Sequence, residues 1–286
     1  MDYLLFRLYG PMASWGEIAV GETRHTASYP GKSAIIGLMA AALGIRRCSE
    51  DESENEKQQQ MQQGYALAVE VYSQGTLLRD YHTTQVPDSV GKFTYRTRRD
   101  ELVLGKDRLG TILSSREYRM DALALVAVKA LPDAPYGLQT IKERLVEPRF
   151  HLYLGRKSCP LSAPLDPQII ENKKNFYEAF KAYMHKPLMP TGKSDRACKA
   201  DKAGKADKAG EAGRTGKGTI SKYDADWLRL ADDRHYYWEG EASDFSDSPD
   251  WNQRMQIRTR HDQPLSRKRW QFSPRQEHYF YYSGGE

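Results

Sequence analysis

The sequence of 286 residues predicts an α+β fold that opens as a ferredoxin-like or RRM-like unit. Residues 3–9 alternate between an apolar and an amphipathic face, which is typical of a strand. A strongly apolar helix follows Pro30, and a second strand spans 65–72. Gly75 then turns the chain into a third strand. A strand, a helix and a hairpin of strands in this order favour that fold class.

The helix after Pro30 has a clear core face and a clear end. Gly44 stands where a left-handed C-cap is expected, and Ile45 can make the apolar contact that accompanies such a cap. The residues that form the apolar stripe, which we interpret as core packing, are Ile35, Leu38, Met39, Ala42 and Leu43.

The following segments complete the first unit. Residues 49–63 are acidic and rich in glutamine, which predicts an exposed loop and a polar helix. Residues 122–128 are apolar throughout and predict a central strand, whereas 135–146 predict an amphipathic helix. We therefore assign residues 1–165 to one ferredoxin-like domain.

Residues 79–119 leave this compact pattern and predict a protruding β-hairpin arm. Within it, 92–99 alternates between a basic face and an aromatic face, and 104–107 can turn the chain back. Such a mixture suits phosphate contacts and base stacking, so we interpret the arm as a binding element. A solvated charged hairpin is the alternative.

Residues 166–286 predict a smaller, mostly β unit. A short amphipathic helix at 175–184 opens it. The sequence KADKAG at 199–204 repeats at 205–210, within a low-complexity stretch at 193–218 that we expect to be a flexible insertion. The predicted strands that follow are 236–238, 255–260 and 279–282.

Charge and composition indicate which class of partner the protein binds. Lysine and arginine number 43 against 38 aspartates and glutamates, a formal charge of +5, and the basic residues concentrate at 92–119, 142–157 and 254–275. Local basic faces on a nearly neutral chain favour nucleic acid over a membrane. No apolar run approaches the roughly 20 residues that span a bilayer, and no signal peptide is visible, so we expect a cytoplasmic protein.

The cysteines and histidines do not predict a metal site. The three cysteines form no CxxC pair, and the seven histidines lack the spacing of metal ligands. We expect no disulfide framework, no metal and no cofactor.

The stretch 10–45 carries the most specific pattern. Trp15, Arg24, Lys32 and Ser33 gather around the start of the apolar helix, where free backbone N–H groups suit phosphate. These residues could cradle a nucleotide. Alternatively, Trp15 is a core residue and Ser33 a helix cap.

This stretch also carries a family resemblance. It contains GPMASWG at 10–16, T-R-x-T at 23–26 and P-x-x-S-x-x-x-G-L-x-x-A-x-L-G-I at 30–45. Together with RDYHT at 79–83, YLGRKSCP at 153–160 and an arginine-rich C-terminal tail, these motifs resemble the CasD family. That family is Cas family five of the type I-E CRISPR system, in the RAMP superfamily. The resemblance covers nearly all of 1–165 and about 235–284, whereas 193–218 departs from the family pattern.

The resemblance implies a function and a set of partners. A CasD-like subunit holds the 5′ handle of the guide RNA (crRNA) and caps the backbone filament of the Cascade complex, in antiviral defence against foreign DNA. The arm at 79–119 would be the family's thumb. The implied partners are the crRNA 5′ handle, the Cascade backbone subunit, the Cascade large subunit and, through the complex, target DNA; no membrane is expected.

The candidate RNA-binding residues come from three regions. The opening loop supplies Trp15, Arg24, Lys32 and Ser33. The arm supplies His82, Lys92, Tyr95, Arg96, Arg98 and Arg116. The segment at 153–160, where glycine with basic and hydroxyl groups can cradle a phosphate, supplies Tyr153, Gly155, Arg156 and Ser158.

The alternative function is metal-free cleavage of CRISPR repeat RNA. That chemistry needs a general base near a 2′-hydroxyl and a cation at the leaving oxygen, roles that His25 or His82 could share with Lys32 or Lys92. A type I-C relative processes guide-RNA precursors itself, whereas type I-E systems use a separate endonuclease. Because the loop motifs match type I-E, we expect no catalytic residues.

Overall fold

A computed structural model describes residues 1–19, 21–46, 52–87, 94–103, 105–188, 220–266, 269 and 271–283. Within those ranges no helix has both the length and the apolar character needed to cross a membrane. The strands are β1 Tyr3–Tyr9, β2 Met12–Ala13, β3 Thr23–Arg24, β4 Tyr65–Ser73, β5 Thr76–Pro87, β6 Leu109–Met120, β7 Leu123–Ala130, β8 Gln168–Ile170, β9 Arg234–Trp238, β10 Gln256–Ser266 and β11 Gln271–Tyr282. The α-helices are α1 Lys32–Leu43, α2 Glu52–Gln63, α3 Arg98–Leu102, α4 Leu138–Val146, α5 Phe176–Ala182, α6 Lys222–Leu228 and α7 Pro249–Arg254.

A seven-stranded sheet forms the centre of the fold, in the order β10-β11-β9-β4-β7-β1-β8. All its strand pairs are antiparallel. α1 and α4 contribute to the apolar cluster on one face, and α5 contributes to the cluster on the other. The strands predicted at 3–9, 65–72 and 122–128 are confirmed, as are the helices within 49–63, 135–146 and 175–184.

Helix α1 begins after Pro30 and ends at Gly44 as predicted, but its N-cap is not Ser33. Gly44 is left-handed (φ 81°), its N–H reaches the carbonyls of Ala40 and Ala41, and Ile45 is buried beside it. At the other end the N-cap is Gly31, which makes no side-chain hydrogen bond. Because the helix begins at Lys32, Ser33 lies in its first turn, and the interpretation of Ser33 as the cap is wrong.

The arm is a ribbon of β5 and β6, which pair from Thr76 opposite Met120 to Pro87 opposite Leu109. It therefore begins earlier than the predicted position 79. β2 and β3 bond β6 near its C-terminal end. The prediction of a strand at 92–99 is wrong where the structure describes it. Thr97 and Asp100 form a capping box that begins α3.

The C-terminal strands are longer than predicted and extend the same sheet. β9 lies beside β4, which carries the sheet from the first half of the chain into the second. The division into 1–165 and 166–286 stays a prediction, and the insertion at 193–218 lies outside the described residues. Residues 150–162 contain one isolated bridge, between Tyr153 and Pro160.

Candidate nucleic-acid interface

Three arginines from separate parts of the chain lie around one face of the ribbon's root. Arg24 on β3 pairs with Arg116 on β6. Neighbouring residues across a sheet share a face, and so do residues i and i+2 along a strand, so Arg116 shares its face with Tyr118. Arg156 places its guanidinium over the Tyr118 ring, 5.0 Å from the centroid. We refer to Arg24, Arg116, Tyr118 and Arg156 as the root face.

Hydrogen bonds and packing hold the root face in shape. Tyr118 is 8% exposed, so it serves as a fixed support for the Arg156 guanidinium. Nη2 of Arg156 also donates to the Arg24 carbonyl at 3.5 Å. The side chains of Arg24 and Arg116 are exposed. The arrangement therefore presents positive charge to solvent from a preformed surface, which suits a phosphate backbone.

The segment at 153–160 positions Arg156 by a close backbone approach. Gly155 is left-handed (φ +84°), and a Cβ there would lie 1.8 Å from the Ser14 carbonyl oxygen. The Gly155 N–H donates to the Tyr153 carbonyl at 3.1 Å. That N–H is therefore used within the loop, so glycine is required at 155 for packing, and a phosphate cradle through this N–H is not supported. Ser158 is exposed beside the root face, and Tyr153 is half-buried.

The same face of the ribbon also carries His82 and Asp80. His82 Nδ1 lies 3.3 Å from the Asp80 carboxylate, and both side chains are substantially exposed. Asp80 is the cross-strand partner of Arg116, so part of the positive charge is balanced locally. His82 therefore lies on the predicted binding element, next to a carboxylate.

The opposite face of the ribbon is braced by buried Glu117. Its carboxylate accepts hydrogen bonds from Arg79 Nη2 at 2.9 Å and from the Thr26 N–H at 3.4 Å, and it lies 3.2 Å from His25 Nδ1. Burial acts to raise the pKa of Glu117, but the hydrogen bonds from Arg79 and His25 outweigh it and lower the pKa below its ordinary value. Glu117 thus fixes β6 to the 23–26 segment.

The tip of the ribbon does not have the two separate faces that were predicted. Arg96 is exposed and Tyr95 is half-buried in irregular structure. Arg98 begins α3 and bonds Glu101 and the Gln85 carbonyl. Lys92 lies outside the described residues. The expected basic strand face of Lys92, Arg96 and Arg98 therefore does not form, because Arg98 belongs to a helix.

Two residues of the opening loop are removed from the interface by their burial or their partners. Trp15 is 4% exposed and packs in the main core, which confirms the alternative interpretation. Lys32 Nζ lies 2.7 Å from the Glu239 carboxylate and 3.0 Å from the Tyr65 carbonyl, and its side chain is 12% exposed. Neither side chain can meet RNA in this conformation.

An internal carboxylate fills the N-terminus of α1, where a phosphate was expected. Asp262 Oδ2 accepts from the Lys32 N–H at 3.2 Å, and Arg275 donates to both Asp262 oxygens at 2.9 Å. Burial acts to raise the pKa of Asp262, but Arg275 overrides this and lowers it. Arg275 is itself buried and also faces Glu239 and Glu277. The positive end of the helix dipole is therefore already neutralised by β10.

Two of the side chains considered for RNA cleavage have carboxylate partners in the structure. No group of histidine, cysteine, aspartate and glutamate side chains within those ranges could hold a metal ion. Of the cations considered for RNA cleavage, Lys32 is occupied by Glu239. His25 is directed to Glu117.

The family model for CRISPR-associated protein (Cas5) matches residues 3–276. The chain belongs to the Cas5 family. An Escherichia coli K12 relative, CRISPR system Cascade subunit CasD, is 34% identical over 169 residues, which cover 57% of this Cas5 chain and 69% of that relative. The CasD resemblance read from the motifs is thereby confirmed.

Two solved structures are similar to this Cas5 chain over nearly its whole length. A chain of a CRISPR RNA-guided surveillance complex has a TM-score of 0.56 and 26% identity, covering 97% of this chain and 89% of that one. A crystal structure of a Cas protein has a TM-score of 0.50 and 24% identity, covering 96% and 94%. The second supports the fold alone.

Sequence reasoning missed the supports of the interface. Tyr118 and Glu117 had no local signal beyond their place in the predicted arm at 79–119. Their partners Arg156 and Arg79 lie 38 residues away on either side. Only the cross-strand register and the approach of the 153–160 loop bring these residues together.

Proposed function

We propose that this chain is a non-catalytic RNA-binding subunit of a type I-E CRISPR Cascade surveillance complex. It holds the 5′ handle of the crRNA, caps the backbone filament and acts in the cytoplasm. Its partners are the backbone subunit, the large subunit and target DNA reached through the complex. Family membership and the Cascade subunit relative support this proposal.

The fold supports the RAMP assignment within this proposal. The order β8-β1-β7-β4, with α1 and α4 on one face, is the arrangement of a ferredoxin-like β-α-β-β-α-β unit. The ribbon of β5 and β6 connects β4 to β7 of this unit, which supports its interpretation as the family's thumb. Its root is ordered by β2 and β3, so it can present charge in a fixed orientation.

The observation that carries the proposal is the root face. Arg24, Arg116 and Arg156 come from three distant stretches and converge around one face of the ribbon. A cluster of arginines beside an aromatic ring suits a single strand of RNA, whose phosphates need cations. The Tyr118 ring packs against the guanidinium of Arg156 and holds it in place.

The test measures binding of a labelled RNA with the repeat-derived 5′-end sequence of the crRNA at several salt concentrations. We expect Arg116→Ala combined with Arg156→Ala to weaken binding and to reduce the salt slope by about 1.4, since each lost phosphate contact contributes about 0.7 for a single strand. Arg144→Ala, an exposed arginine of α4, is the matched control.

The same samples are analysed for RNA length. Intact RNA supports a scaffold role, whereas a defined fragment formed without metal would identify an endoribonuclease. Equal affinity and equal slopes for the double variant and Arg144→Ala would show that the root face does not bind RNA.

A further inference from the structure

A row of aromatic rings crosses β9 and β11 on the face of the sheet that carries α1. It begins at buried Tyr29, which stacks on Tyr237 at 3.5 Å between centroids. Tyr237 is 5.0 Å from Tyr279, and His235 lies 6.0 Å from Tyr279 and 5.1 Å from Tyr281. The row therefore runs from the core to the surface, and Tyr281 at its end is 38% exposed.

Arg258 on β10 extends this row with a flat cation. Its guanidinium carbon lies 3.6 Å from the Tyr279 centroid, and the side chain is exposed. Among the described residues no carboxylate pairs with Arg258, whereas Arg260 pairs with Glu17. We refer to His235, Arg258, Tyr279 and Tyr281 as the aromatic platform. The platform combines aromatic ring surfaces with the guanidinium of Arg258, which lies on the Tyr279 ring and belongs to an exposed side chain.

Hydrogen bonds fix the platform and connect it to the ribbon. His235 Nδ1 is 2.9 Å from the Tyr279 hydroxyl, and its Nε2 is 3.0 Å from Gln74 Nε2. The neighbouring Asp233 carboxylate raises the pKa of the Tyr281 hydroxyl above its ordinary value. Because Gln74 stands in the turn that leads into β5, the platform lies beside the root of the ribbon. Rings held in place lose little conformational entropy when a ligand stacks on them.

We propose that the aromatic platform binds an unpaired base of single-stranded RNA, stacked on the Tyr281 ring and the Arg258 guanidinium. This inference rests on the proposed function, because the RNA is the crRNA held at the root face. Bases of any sequence offer a π-face to tyrosine and arginine, so the platform binds RNA with little sequence preference. None of the candidate RNA-binding residues named from the sequence belongs to the aromatic platform.

The chain offers matched controls on the opposite face of the same strands. Tyr282 is also 38% exposed but points toward Trp251. Arg254 lies over Phe280 on that other face, 5.9 Å from its centroid. We would compare Tyr281→Ala with Tyr282→Ala, and Arg258→Ala with Arg254→Ala. The probe is the labelled 5′-end RNA used above, and circular dichroism confirms that each full-length variant is folded.

We expect Tyr281→Ala to weaken binding by roughly 5- to 150-fold with an unchanged salt slope, the range for one lost base stack. Tyr281→Trp should retain binding, and Tyr282→Ala should remain within about twofold of wild type. If wild type binds RNA and both Tyr281→Ala and Arg258→Ala bind it equally well, the platform proposal is overturned. The proposed function is not affected by that result. Variants that bind RNA normally yet fail to assemble with Cascade subunits would identify a protein contact instead. Wild type that binds no RNA overturns the proposed function itself.

Discussion

The carboxylate of Asp262 provides the sharpest test of how α1 is held. It accepts from the Lys32 N–H and from two nitrogens of Arg275, and its side chain is 14% exposed. Asp262→Asn keeps the shape but removes the charge and one acceptor. We expect this change to lower the free energy of unfolding at pH 7, because it weakens a buried ion pair and uncovers the positive end of a helix.

The expected loss in the free energy of unfolding has a contribution from the ion pair and one from the helix end. Breaking a buried pair costs roughly 3–5 kcal/mol when the remaining charge loses every partner. Here Arg275 keeps Glu239 and Glu277, which reduces that loss. The charge at the helix end adds up to about 2 kcal/mol. We therefore expect a destabilisation of about 3 kcal/mol, measured by urea unfolding.

The pH dependence gives a second, independent check. Because the pKa of Asp262 is lowered in the folded state, its contribution is present above the unfolded pKa of about 3.9 and is lost as the pH falls through the folded pKa. The gap between wild type and Asp262→Asn should therefore narrow below about pH 4. Asp133→Asn, at an exposed loop, should change stability by less than about 0.5 kcal/mol. Equal stability of Asp262→Asn and Asp133→Asn at pH 7 would refute the reasoning.

Two further changes test the loop at 153–160 and the opposite face of the sheet. Gly155→Ala should destabilise the protein by about 2 kcal/mol or more, because φ is +84° and the new Cβ would meet the Ser14 carbonyl. Gly16→Ala, at an exposed position where the new Cβ meets open space, should melt close to wild type. Burial raises the pKa of Glu70 to about 7, so its contribution to stability is fully present below about pH 4 and is lost as the pH rises through 7. Glu70→Gln should reduce the fall in the free energy of unfolding between pH 5 and 8, measured by urea unfolding. An unchanged fall would contradict a raised pKa for Glu70.

The elements with a strong local pattern could be predicted from the sequence. The apolar stripe and Gly44 determined α1 and its end, and the continuous apolar run at 122–128 predicted the central strand β7. These signals are local, since burial on one face or both faces leaves a period in the sequence. The arm could be predicted from the same kind of signal, because the residues at 79–119 depart from the periodic pattern of the compact unit.

The site was harder to predict because its partners are distant in sequence. The start of α1 looked like a phosphate site, but Asp262, 230 residues further along, occupies it. The alternation at 92–99 favoured a strand, whereas Thr97 and Asp100 cap a helix there. The reciprocal hydrogen bonds of this capping box begin a helix, and the weak alternation does not override them.

The ribbon is ordered at its root and depends on its own pairing further out. β3 bonds β6 at Ser115 and Arg116, and β2 bonds it at Arg119 and Met120; across the described residues, 109–114 pair with β5 alone. A two-stranded ribbon is marginally stable in isolation. The outer half nevertheless exposes Ile112 and Leu113, and large exposed apolar side chains are typical of surfaces that a partner covers. Within the proposed function, changes at the root should therefore alter contacts with RNA directly. Changes in the outer half should act mainly through the cost of ordering the ribbon when it meets RNA or a neighbouring subunit.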